Sequence, residues 1–263
     1  MSVTILINSS IKNYIRSISQ KYNIPKKELL SIWKVDKKQP KIITEDLGKI
    51  FEKAICNLYD IEYEDKYKYS LEEAENIKQK LFKLKKVFPH KIKHVAKNGN
   101  KYDFVSIENG KITLSAKSSK KDGKVCPQVI GQPSKKKFCQ FFNIENNVDD
   151  DIIKKYIEIN VNSMLYQYIN NTFDSPIVYY NKHKDLLLFV ILKQKINWNE
   201  RHISFSHIIK CKKWNESTNI IIDNTVVGEF QVHNHRDCIK FRWNFEKMLN
   251  LFKDNFQVEN LRM

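Results

Sequence analysis

Residues 101–121 read KYDFVSIENGKITLSAKSSKK, and the pairing of the two halves decides which side chains meet. Asn109-Gly110, set between two short runs of strand composition, is a strong hairpin signal. Two registers are open to it. With Asn109 and Gly110 alone as a two-residue turn, Asp103 would pair with Ala116 and face away from Lys117. With Glu108-Asn109-Gly110 as a three-residue loop and Gly110 left-handed, Asp103 lies opposite Ser115. The second register also sorts the faces. Phe104, Ile112, Leu114 and Ala116 fall on one side, and Asp103, Ser115 and Lys117 on the other. It is the register expected here.

An aspartate on one strand and a residue-x-lysine on the next is what metal-dependent phosphodiester cleavage requires. The carboxylate binds a divalent cation, which polarises a phosphate and lowers the pKa of a bound water. The ammonium orients or activates that water and offsets charge building on the phosphate. The pattern is a loose one. A surface hairpin with solvated polar residues is the plain alternative.

With 263 residues, 41% of them hydrophobic, the chain can bury a sizeable core as one large domain or a domain with a small appendage. Its 46 Lys and Arg against 30 Asp and Glu leave a net charge of +16. That excess favours a polyanionic partner, nucleic acid ahead of an anionic membrane surface. No apolar run suits a membrane span or a signal peptide, so neither insertion nor secretion is expected. Cys56, Cys126, Cys139, Cys211 and Cys238 form no CxxC pair and point to reduced thiols in a cytosol. Zinc held by Cys211, His233, His235 and Cys238 would fit no standard finger spacing. The string His233-Asn234-His235 spells the name of a nuclease class whose residues are dispersed over a ββα unit, so the tripeptide alone carries nothing.

Residues 10–34 read as two helices around Asn23-Ile24-Pro25, which makes 1–40 a possible helical appendage to a domain over 41–263. Thr44 opens a helix to about Tyr59 with Leu47, Phe51, Ala54, Ile55 and Leu58 as its apolar stripe. Ser70-Leu71-Glu72-Glu73 caps a charged helix expected to run to Lys86. After Lys117 come a polar loop and a basic-aromatic patch, KKKFCQFF. A helix over 151–170, strands near 176–181 and 185–193, and a terminal helix EKMLNLF complete the expectation. The order predicts an α+β fold, an α/β sandwich with a central mixed β-sheet and helices on both sides.

Two further features bear on function. Glu52 sits on the flank of the 44–59 helix, where it can lean toward a metal or pair with Lys49 or Lys53. In the hairpin 225–246, Phe230 and Val232 alternate with Glu229, Gln231 and His233, and Ile239, Phe241, Trp243 and Phe245 with Lys240, Arg242 and Asn244. One face buries. The other carries side-chain types that reach base edges and phosphates when a β-ribbon faces DNA, or it is simply the polar outside of a sheet.

The segment Asp46-Leu47-Gly48-Lys49-Ile50-Phe51-Glu52-Lys53, then Asp103, then Leu114-Ser115-Ala116-Lys117-Ser118-Ser119-Lys120-Lys121, resembles type II restriction endonucleases of the PD-(D/E)XK superfamily, in particular the MspI-like group. The resemblance covers a catalytic core at 44–135 and, faintly, the C-terminal hairpin. It implies a restriction-endonuclease-like fold and Mg²⁺-dependent, site-specific cleavage of double-stranded DNA leaving 5′-phosphates. Asp103 and Glu52 would hold the metal and Lys117 would be the catalytic lysine. Ser115 stands where the superfamily has Glu or Asp and MspI-like enzymes have Asn, so Ser115 or the Ala116 carbonyl would complete the metal shell. Ser118, Ser119, Lys120 and Lys121 would enter the DNA groove, with Gln132 and Lys135, Lys136 and Lys137 as further contacts. A cognate DNA methyltransferase is the implied genetic partner, and the enzyme would act as a monomer or homodimer. The rivals are a structure-directed repair or recombination nuclease and a non-catalytic DNA-binding protein.

Overall fold

The computed structural model describes residues 17, 20–22, 44–96, 100–145 and 148–262, with side chains from residue 46 in the main stretch. The chain divides into Met1–Ile43 and Thr44–Met263. The expected appendage over 1–40 lies almost wholly outside the described residues.

In the second unit the first helix, α1 (Thr44–Tyr59), forms where the apolar stripe predicts it and buries Leu47, Phe51, Ala54 and Ile55. α2 (Leu71–Lys80) begins at the expected cap, the Glu73 N–H donating to the Ser70 hydroxyl at 3.1 Å. It does not run on to Lys86. The chain breaks at Leu81 and resumes as the short α3 (Leu84–Val87), which turns both Leu81 and Leu84 into the core. Then come β1 (Ile92–His94), β2 (Phe104–Ser106), β3 (Thr113–Ser119), β4 (Lys124–Val125) and α4 (Lys135–Phe142). The basic-aromatic patch is therefore a helix, with Phe138 and Phe142 buried. α5 (Asp150–Thr172), β5 (Ile177–Asn181) and β6 (Leu186–Leu192) fall where expected. β7 (Ile203–Phe205), α6 (Ser206–Ile209), β8 (Ser217–Ile222), β9 (Thr225–Val232), β10 (Ile239–Asn244), α7 (Phe245–Leu251) and β11 (Phe256–Asn260) complete the chain.

The fold is α+β with a mixed sheet and helices, as expected, and it carries a second sheet besides. A mixed sheet has the order β1-β2-β3-β5-β6-β11, with β3 and β5 parallel, and an antiparallel sheet has the order β4-β10-β9-β8-β7. The sequence carries the reason: the alternation in β9 and β10 buries its own apolar face, which needs a cover of its own. α5 supplies it. Tyr168 stacks on Phe241 with ring centroids 4.1 Å apart, and the Trp243 indole donates to Thr172 Oγ1 at 2.8 Å.

The mixed sheet has helices on both faces. Phe51 of α1 meets Tyr180 on one face, with centroids 5.5 Å apart. Phe245 of α7 meets Tyr179 on the other at 4.6 Å. Paired residues of parallel strands share a face, and β3 pairs with β5 as Ser115 with Ile177, Lys117 with Tyr179 and Ser118 with Tyr180. Ser115 and Lys117 therefore look away from α1, while Ala116 and Ser118 look toward it.

Candidate active site

β2 and β3 pair as Phe104 with Leu114 and Val105 with Thr113, which carries Asp103 opposite Ser115 as the sequence predicts. The turn differs. Gly110 is not left-handed; instead the Ile112 N–H closes on the Asn109 carbonyl at 2.9 Å, and the Asn109 side chain accepts the Lys111 N–H at 3.0 Å. The asparagine stabilises the turn locally, so the glycine's freedom is not used.

The ladder ends at Phe104. One step further, the Ala116 N–H would find the Tyr102 carbonyl, and Asp103 Oδ2 takes that place at 2.7 Å. One carboxylate oxygen is thus spent on the backbone and the other is left over. Burial lifts the Asp103 pKa above the usual carboxylate range; the Lys117 charge pulls it back, and the Glu52 charge adds to the rise. Asp103 and Lys117 therefore share one electrostatic site.

Ser115 is fully buried beside them. Its hydroxyl accepts from the Gln128 amide nitrogen and lies 3.2 Å from the Ser175 hydroxyl. The Gln128 carbonyl oxygen is buried with no partner among the described residues. Gln128 is held by a tight loop, in which the Ile130 N–H folds back to the Gln128 backbone carbonyl at 2.5 Å around Val129 at φ +60°. A β-branched residue is an outlier there, and such strain gathers at functional sites. A Cβ on Gly131 would collide with the Pro127 carbonyl oxygen, so only glycine closes this loop. Sequence reasoning missed Gln128; a lone polar residue between Pro127 and Val129 in a mostly apolar loop was the available signal.

Glu52 comes close enough for its charge to raise the Asp103 pKa. It lies on the α1 side of the sheet, where a Cβ at Gly48 would stand 3.9 Å from Ser118 Oγ. Its carboxylate is already engaged by Lys49 at 3.1 Å, His94 Nε2 at 3.3 Å and the Tyr63 hydroxyl at 3.4 Å. The Glu64 N–H donates to His94 Nδ1 at 3.1 Å, which places the ring proton on Nε2, pointing at Glu52. Burial alone would raise the Glu52 pKa, but the His94 hydrogen bond and Lys49 outweigh it and hold it low. Glu52 acts on Asp103 as a nearby negative charge.

Around this centre the expected DNA contacts divide. Ser119 is buried and accepts the Gly123 N–H at 2.9 Å, which shapes the turn. Ser118 looks toward α1. Lys120 is half-buried, and Lys121, Lys136, Lys137 and Gln132 are exposed, with the Gln132 amide 3.9 Å from Cys238 Sγ. Lys135 pairs with Asp150 at 2.5 Å. On the ribbon, Gln231 faces Lys240 and Glu229 faces Arg242 across the strands, as the alternation predicts. Arg242 is held by Glu229 at 2.5 Å, and Asn244 donates to the Val226 carbonyl at 3.1 Å. The His233 ring nitrogens are buried, so His233 is not available to DNA. The Cys126 thiol, whose pKa burial raises, feels Lys240, Arg242 and Lys117 together. The polar face of the ribbon and the catalytic lysine candidate thus border one space.

The chain is similar to a type II restriction enzyme. That protein, CviAII of Paramecium bursaria Chlorella virus 1, is 45% identical over 217 residues, covering 82% of this chain and 63% of the relative. The chain thus spans less than two thirds of that enzyme's length. An aligned stretch of 217 in 263 residues leaves at most 46 outside, so it includes Asp103 and Lys117 wherever it begins. No family model and no solved structure matches. Among the described residues no helix is long and apolar enough to cross a membrane, and all five cysteines are free.

The centre's donor set suits a hard divalent cation. The spare Asp103 oxygen, the Ala116 carbonyl at the end of the ladder and the orphaned Gln128 oxygen are all oxygen donors, the kind Mg²⁺ takes. A cation would also relieve the buried Asp103 charge beside Glu52.

Proposed function

We propose that the chain is a Mg²⁺-dependent type II restriction endonuclease with a restriction-endonuclease-like fold, cutting double-stranded DNA at a specific site. The observation that carries the reading is Asp103 and Lys117 on neighbouring strands, Asp103 opposite Ser115 and within reach of the Lys117 charge, in a chain 45% identical to a type II restriction enzyme. Asp103 and Glu52 would hold the metal, with the Ala116 carbonyl and the unpartnered Gln128 oxygen as further donors, and the bound ion would polarise the scissile phosphate and activate its water. Lys117 orients the attacking water and offsets negative charge on the phosphate. Ser115 anchors Gln128, the role left to it where the superfamily has an acid. In-line attack leaves a 3′-hydroxyl and a 5′-phosphate. A cognate methyltransferase protecting the same site is the expected genetic partner.

The test is digestion of supercoiled plasmid with Mg²⁺, followed by sequencing of the fragment ends. Asp103→Ala and Lys117→Ala should each lose at least ~100-fold in cutting while still binding the site. Near wild-type cutting by Asp103→Ala would overturn the assigned centre. Binding without nicking by the wild type would make the chain a DNA-binding module.

A further inference from the structure

A zinc quartet of Cys211, His233, His235 and Cys238 fits no standard finger spacing, and the described residues do not assemble it. Among the described residues, a different group gathers within ligand range: Glu216, His233 and His235, whose donor atoms all lie within 4.8 Å of one another. Glu216 directly precedes β8, and its carbonyl accepts the Val232 N–H at 2.8 Å, which brings it beside the β9–β10 turn. His233 and His235 stand in that turn. His233 Nδ1 is 3.2 Å from one Glu216 oxygen and His235 Nδ1 is 3.9 Å from the other. Ligands about 2.0–2.2 Å from a tetrahedral zinc sit about 3.3–3.6 Å apart, so both spacings need only small adjustments.

His233 separates this group from an ordinary surface ion pair. Its side chain is 13% exposed, and both ring nitrogens are buried with no hydrogen bond among the described residues, even with the Glu216 carboxylate so close. Buried imidazole nitrogens almost always find a partner. A metal on Nδ1 supplies one.

We propose that Glu216, His233 and His235 form a binding site for Zn²⁺ or a similar borderline transition-metal ion, with solvent in the remaining position. Such an ion ties the start of β8 to the β9–β10 turn and braces the ribbon that carries Gln231, Lys240 and Arg242. Two imidazoles and one carboxylate select a transition metal over Mg²⁺. The site is independent of the nuclease reading.

Cobalt reports it directly. Tag-free, EDTA-treated full chain is titrated with Co²⁺ in excess Mg²⁺, and the visible absorption of low-coordinate Co²⁺ is followed, then its loss as Zn²⁺ is added. One equivalent is expected, with affinity at least ~100-fold weaker in His235→Ala and in Glu216→Gln. Those two side chains are 62% and 59% exposed, so both variants keep the core. No visible band, or one that both variants retain, would overturn the proposal. So would a thiolate-to-cobalt charge-transfer band, which would place the ion on cysteine.

Discussion

Asp103 is held in a place that suits a carboxylate poorly until something cationic arrives. Its folded pKa is raised by burial and by Glu52, against the pull of Lys117. For an acid raised on folding, the favourable contribution is complete below the ordinary aspartate pKa of about 3.9 and is lost as pH rises through the folded value. At neutral pH without divalent metal, Asp103 therefore destabilises the fold. Asp103→Asn keeps an acceptor for the Ala116 N–H and removes the charge, so its melting temperature at pH 7 in EDTA should exceed that of the wild type. A relief on the order of 1 kcal/mol is worth about 2–4 °C in a domain of this size. The gain should vanish below about pH 4, and Mg²⁺ should stabilise the wild type but not the variant. A variant less stable than wild type at pH 7 would mean that Lys117 already compensates the carboxylate.

The ribbon is the element on which specificity would rest. Gln231, Lys240 and Arg242 lie on one polar face, and Glu229, flanked by Arg242 and by Lys124 at 3.0 Å, keeps the guanidinium from wandering. An arginine so braced can read guanine bidentately, at about 1–3 kcal/mol of discrimination. Arg242→Ala should reduce specific cutting far more than nonspecific DNA binding, whereas Lys240→Ala should weaken both alike. Identical behaviour of the two would leave sequence reading to the loop after β3. This element was legible because period-2 alternation over six to eight residues fixes both strand and face. The Asp103–Ser115 register was legible for the same reason. What the sequence hid was short or non-local. β1 and β7 are three residues each, too brief for a period to show. β11 is a strand only because β6 offers it an edge. For Glu52 a helix pattern gives the angle to the stripe and the Lys49 neighbour but not His94 or Tyr63, which reach it from other elements. Gln128 and Glu216 matter only through partners distant in sequence.

Across the whole molecule, the net charge of +16 overstates what is free to meet DNA, because much of it is answered internally. Lys49, Lys80, Lys135 and Lys182 each lie within 3.1 Å of a carboxylate oxygen. Exposed Lys121, Lys136 and Lys137 and the half-buried Lys117, Lys120 and Lys240 remain near the site and ribbon with no ion pair among the described residues. Each phosphate neutralised releases counterions and contributes about −0.9 to the log–log slope of affinity against salt. If those six lysines each meet one phosphate, affinity should fall by about 10³ between about 50 and 200 mM salt. Lys121→Ala should make the slope shallower by about one and leave the preference for the specific site unchanged, because a phosphate contact carries no sequence information. Fluorescence anisotropy on specific and scrambled duplexes, in Ca²⁺ to hold off cleavage, measures both quantities. A wild-type slope near zero would remove DNA as the partner of this basic surface.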